Sequence, residues 1–121
     1  MKVKTADLID AALDWAVAKC EGENEEAFCL FYEPTEPTDY DAHGYPEFHY
    51  STIWAQGGPI IERECMDILC LAGGDDGWQA DKYLHTEQVI RFGPTPLIAA
   101  MRCLVASRLG DEVEVPDELM K

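Results

Sequence analysis

"GPTPLIAAMRCLVASRLG", residues 93 to 110, decides the fold. Thr95 offers a side-chain oxygen to the unpaired amides of a helix start. Pro96 suits the first helical position, and Gly110 suits the residue that ends a helix. Between them apolar side chains surround the helix almost completely, with Arg102, Ser107 and Arg108 as the exceptions. A surface helix needs a polar face, so this one must be covered on nearly every side and form the centre of the core.

The rest of the chain has to supply that cover. Residues 6 to 21 predict an amphipathic helix: Thr5 caps it, Leu8, Ile9, Ala12, Leu13, Ala16, Val17 and Cys20 recur at helical spacing, and Gly22 stops it. Asp7, Asp10 and Asp14 fall away from most of that stripe, and the early ones suit the positive end of the helix dipole. "AFCLFY" (27 to 32) reads as a buried strand, and residues 33 to 50, with three prolines and one glycine, as a long acidic loop. Gly57-Gly58 reads as a chain break with Pro59 opening a short helix through "PIIERE". "MDILCL" (66 to 71), "WQADKYL" (78 to 84) and "QVIRF" (88 to 92) predict strands, the first two a hairpin across "AGGDDG". "EVEV" (112 to 115) alternates like a final edge strand. Helices and strands follow no βαβ repeat. The expected class is therefore α+β, one small domain over residues 1–121, with a short, mainly antiparallel sheet packed against an N-terminal helix and the central C-terminal helix.

Composition excludes several functions. At 121 residues with 47% hydrophobic content the chain builds one modest core. No apolar run reaches membrane-spanning length, and acids interrupt the N-terminus too early for a signal peptide, so a cytoplasmic protein is expected. The five cysteines are odd in number and form no C-x-x-C pair; they read as small buried hydrophobes, not a disulfide framework or zinc site. Twenty-four acids against nine bases give a net charge of −15, and ten acids but no Lys or Arg lie between Lys19 and Arg63. Such a surface repels a nucleic-acid backbone. It is either a solvated face or one that meets a basic protein.

Few constellations carry chemistry. "DYDAHGYPEFHY" (39 to 50) has the outline of a calcium loop in Asp39, Asp41, His43 and Gly44. Its twelfth place is Tyr50, where a bidentate Glu is needed, and the prolines forbid flanking helices. His43, Glu47 and His49 lack the spacing that fixes a metal, so no metal or other cofactor is expected. There is no nucleophile elbow and no phosphate loop, and no catalytic residue is assigned; the chain reads as non-enzymatic.

"WAQGGPIIERE" (54 to 64) is the candidate ligand site. Trp54 offers a ring for stacking, Gln56 both donates and accepts, Gly57 and Gly58 admit a ligand to the backbone, and a helix opening at Pro59 turns free amides toward an anion. Arg63 supplies a guanidinium fork, with Trp78 as a second aromatic wall and Arg102 as a further neutralising charge. The ordinary alternative is that Trp54 is core, the glycines turn the chain, and Arg63 pairs with Glu62, Glu64 or a loop acid.

Four blocks carry a resemblance: "MKVKTADLIDAALDWAVAKCEG" (1 to 22), "STIWAQGGPIIERE" (51 to 64), "WQA" (78 to 80) and "GPTPLIAAMRCLVASRLGDEVEVP" (93 to 116). In these blocks the chain resembles a small phage and prophage accessory family of unknown function, the NinX-like proteins of lambdoid phages. Ile53 stands where that family carries an acidic or amide residue, and residues 33 to 50 and 65 to 77 diverge. The resemblance implies an accessory protein made in the cytoplasm of an infected or lysogenic bacterium, by analogy a counter-defence or host-modulating factor. Two functions follow as expectations. One is binding of a small anionic or nucleotide-like ligand at the segment above; the other is inhibition of a basic host protein by an acidic, nucleic-acid-mimicking surface. A homodimer is also expected, because the apolar last helix and the "EVEV" edge offer surface for pairing.

Overall fold

The last helix takes the form its sequence dictates. In the computed structural model, which describes residues 1–22, 49–72, 74–84 and 87–120, it spans Pro96–Leu109. Thr95 Oγ1 accepts from Ile98 N at 3.1 Å, Pro96 occupies the first turn, and Gly110 adopts φ 87° just past the end. Every side chain from Leu97 to Ala106 is buried. The cover comes from a second helix, α1 (Asp10–Cys20), and from a three-stranded sheet of β2 (Asp67–Cys70), β3 (Trp78–Leu84) and β4 (Glu87–Gly93). We call the shorter helix Trp54–Arg63 α2 and the central helix α3.

The sheet is antiparallel in the order β2-β3-β4, with the expected hairpin joining β2 to β3. Ile68, Trp78, Ala80 and Val89 lie on the face that packs onto the core. Gly93 lets β4 approach α3 closely: a Cβ there would stand 2.7 Å from Ala99 N. A separate two-stranded ribbon pairs β1 (Lys2–Lys4) with β5 (Glu112–Glu114). The fold is the expected small α+β domain. The strand expected at 27 to 32, most of the loop at 33 to 50, and His43 and His85 lie outside the described residues.

Four details differ from the sequence reading. The N-terminal helix starts at Asp10 and not at residue 6, because Leu8 gives its carbonyl to Arg102 Nε at 2.7 Å, and Thr5 binds across the ribbon to Asp111 O instead of capping. Asp14 is buried, not solvated: its carboxylate accepts from Ser51 N at 2.8 Å. The edge expected at "EVEV" is filled on one side by β1, where Lys2 faces Glu114 and Lys4 faces Glu112, a cross-strand arrangement of opposite charges. Finally, Cys103 is buried and Cys20 half-buried, but Cys65 and Cys70 are exposed, the first at the left-handed residue after α2 and the second at the end of β2.

Candidate functional site

Helix α2 begins at Trp54, five residues earlier than its proline suggests. The preceding turn makes this possible: Ile53 N donates to His49 O at 2.8 Å, and Gln56 Oε1 reaches back to accept from His49 N at 2.6 Å. Gly57 and Gly58 are therefore helical residues, not a chain break, and Pro59 is interior. Pro59 removes only the bond to the carbonyl of Ala55, which is exposed and open to water. The anion cradle expected from free amides at Pro59 is accordingly not formed: Gly57 N is bonded to Ile53 O at 3.0 Å.

This geometry separates the residues expected to share a pocket. Trp54 and Arg63 are nine helical positions apart, about 13 Å along the axis and about half a turn around it. Trp54 is 56% exposed at the first turn. Arg63, at the last turn, holds Glu21 in a two-pronged contact at 2.7 Å through each terminal nitrogen and donates to Glu64 at 3.0 Å. Gln56 is turned toward His49, and Gly57 is pressed against Tyr50 O and Leu97. Gly58 stands beside the Trp54 ring, where a Cβ would lie 3.8 Å from Cε3. Trp78 lies in β3 between Cys70 and Gly93, packed against the core. Arg102 is buried in α3, where it donates to Leu8 O at 2.7 Å and Phe92 O at 2.9 Å and faces Asp76 at 3.6 Å. Burial lowers its pKa from the ordinary arginine value, against the opposing pull of Asp76 and Asp7.

A different polar assembly stands at the junction of α2, β3 and α3. Glu64 accepts from Lys82, from Arg63 at 3.0 Å and from Arg108 at 3.0 Å, and Arg63 carries the chain of contacts on to Glu21 at the end of α1. Burial opposes the charge on Glu64, but the three cationic donors outweigh it and hold the carboxyl at about 2. This assembly clamps four elements together, and its charges are mutually satisfied. In the sequence Glu64 is only one alternative partner for Arg63; nothing local signals that Lys82 and Arg108 converge on it.

Asp14 titrates the other way. Burial pushes it up to about 6, with Ser51 and His49 pulling it back. The folded state therefore carries an ionised, poorly solvated carboxylate above pH 6, and that penalty disappears as pH falls from 6 toward the ordinary value of 3.8. Glu64 contributes stability above about 4.5 and loses it as pH falls toward 2. Stability is thus expected to rise by about 1–3 kcal/mol on acidification from neutrality to near pH 5, then to fall on further acidification. Urea melts across that range check this. Asp14→Asn should flatten the rise, and an unchanged rise in that variant would assign it to other groups.

The described residues contain no cluster of three or more metal-ligating side chains, and no described helix is long and apolar enough to cross a membrane. The comparisons with known proteins add one match. A family model described as "Bacteriophage P22, NinX" matches residues 4–108, from the end of β1 to the last turn of α3. The chain belongs to the NinX family. The match covers the Trp54 helix and all but the last residue of the Pro96 helix, and the two meet where Gly57 touches Leu97. The comparison with curated proteins finds no match.

Proposed function

We propose that this NinX-family protein acts as a non-enzymatic binding protein that presents an acidic surface to a basic partner protein in the phage-infected bacterium. The observation that carries this reading is the placement of the arginines. All four are engaged within the chain: Arg63 with Glu21 and Glu64, Arg91 with Asp111, Arg102 with backbone carbonyls and Asp76, and Arg108 with Glu64. Arg63 and Arg108 reach the surface, but each arginine is already matched by an acceptor of this chain, so the surplus of acids that makes the net charge −15 dominates what a partner meets. Long-range attraction of this kind governs encounter rate and partner choice, and salt weakens it. A small anionic or nucleotide-like ligand would have to be recognised at Trp54 without a free guanidinium fork, which makes that function the weaker of the two.

One calorimetric series separates them. The full chain is titrated with a nucleotide panel and, separately, with a peptide of alternating arginine and leucine at several salt concentrations. The expected result is no heat with nucleotides and peptide binding that weakens about tenfold or more between low and physiological salt. Nucleotide binding abolished by Trp54→Ala, or the absence of any salt-sensitive peptide binding, would overturn the proposal.

A further inference from the structure

Pairing register divides the side chains of the three-stranded sheet between two faces. Ile68, Ala80 and Arg91 form one row across the strands, Cys70, Trp78 and Gly93 another, and Lys82 stands opposite Val89; this face turns toward α3. The opposite face carries Asp67, Asp81 and Ile90 in one row, Leu69, Gln79 and Phe92 in the next, and Tyr83 opposite Gln88. Among the described elements, β2, β3 and β4 pack on one another and on α3, which leaves that outer face open. Leu69 is 48% exposed, Phe92 44% and Tyr83 68%.

The charge on the sheet is segregated in the same way. Its two cations, Lys82 and Arg91, belong to the inner rows and are paired with Glu64 and Asp111. The outer face has two carboxylates and no cation. Asp67 and Asp81 stand directly opposite each other on neighbouring strands, an arrangement that destabilises a sheet unless something positive lies between the charges. Asp81 is also recessed, at 8% exposure, and its two oxygens accept from Gln79 at 2.8 Å and Gln88 at 3.3 Å with no cationic partner among the described residues. The face thus combines recessed negative charge with flanking exposed aromatic rings, and such rings attract a cation placed over them. A second copy of the chain, itself at −15, supplies no cation for this face from its own outer rows.

We infer that the outer face of the β2-β3-β4 sheet is the docking surface for a cationic protein segment, with a Lys or Arg of the partner set against Asp67 and Asp81 and its aliphatic stem across Phe92 and Tyr83. This assignment rests on the proposed function and goes beyond it by naming the surface. The test is a titration of isotope-labelled full-length protein with the arginine–leucine peptide, followed by amide chemical shifts. Shifts should concentrate at residues 67–70, 79–83 and 88–92. The double variant Tyr83→Ser, Phe92→Ser leaves net charge unchanged and should weaken binding by about tenfold. Asp81→Asn should also weaken binding while leaving thermal stability equal or higher, because it relieves the facing acids. If wild type and the double variant bind equally, with shifts scattered over the acidic surface, the face is wrong and the general function stands. If wild type does not bind the peptide at all, both fall. A two-chain mass by light scattering that the double variant reduces to one chain would reassign the face to self-association and overturn the inference.

Discussion

Gly57→Ala is expected to lower the thermal midpoint by about 10 °C, and the same change one residue on, Gly58→Ala, to raise it by a few degrees. Both glycines lie in α2, where alanine is favoured over glycine by about 1 kcal/mol. They differ in what a methyl group meets. At Gly57 a Cβ would stand 2.3 Å from Tyr50 O and 2.6 Å from Leu97 Cδ2; at Gly58 its nearest neighbour is Trp54 Cε3 at 3.8 Å. A backbone oxygen cannot swing aside, so α2 must shift away from the turn at residues 49–52 and from α3. Overpacking of this kind costs about 3 kcal/mol or more, which exceeds the helix-propensity gain and corresponds to about 10 °C for a domain of this size. Calorimetric melts of the two variants check the pair. A Gly57→Ala protein as stable as wild type would mean that the close approach is not present. The opposite signs also separate packing from ligand access, since neither change removes a polar group.

Arg102→Leu is expected to destabilise the fold by about 3 kcal/mol, or abolish it. Its guanidinium is buried and donates to two carbonyls from different parts of the chain, Leu8 O before α1 and Phe92 O at the end of β4. Leucine keeps apolar volume but leaves both carbonyls without their donor, and leaving buried acceptors unpaired is what makes such a change large. Arg102→Lys cannot bond both carbonyls in the same fork and should recover only part of the loss. Chemical denaturation of the three proteins decides it. Equal stability of wild type and Arg102→Leu would remove Arg102 from its structural role and return it to consideration as a binding residue.

The central helix was legible because its determinants are local: Thr95, Pro96 and Gly110 act within a turn of its ends, and its all-round apolar surface demands burial. The strands of the main sheet were legible for a similar reason, since alternation and the glycine-rich turn before Trp78 act over a few residues. The true start and end of α2 were not. Its start depends on Gln56 reaching back to His49, and its end places a cysteine, Cys65, at φ 54° where glycine would have been the signal. The ribbon strand at Lys2–Lys4 is three residues long and exists only because Glu112–Glu114 lies beside it.

The candidate surfaces divide along the same line. The aromatic and apolar content of "WAQGGPIIERE" was visible, but its arrangement as one helix set Trp54 and Arg63 on opposite sides, which no list of residue types reveals. Arg63 was expected to find an acid; that the acid is Glu21, 42 positions away, follows from α1 and α2 being brought end to end. The alternation in "WQADKYL" and "EQVIRFG" announces two faces, yet only the packing of α3 selects Ala80 and Val89 as inner and leaves Asp81, Tyr83 and Phe92 outside. By itself the sequence determined helix type, strand alternation and the −15 charge, because these depend on residues close along the chain or on a count. Only the tertiary structure decided which charges are neutralised and which face is left open, because ion pairing and close packing depend on distances of a few ångström between residues remote in sequence.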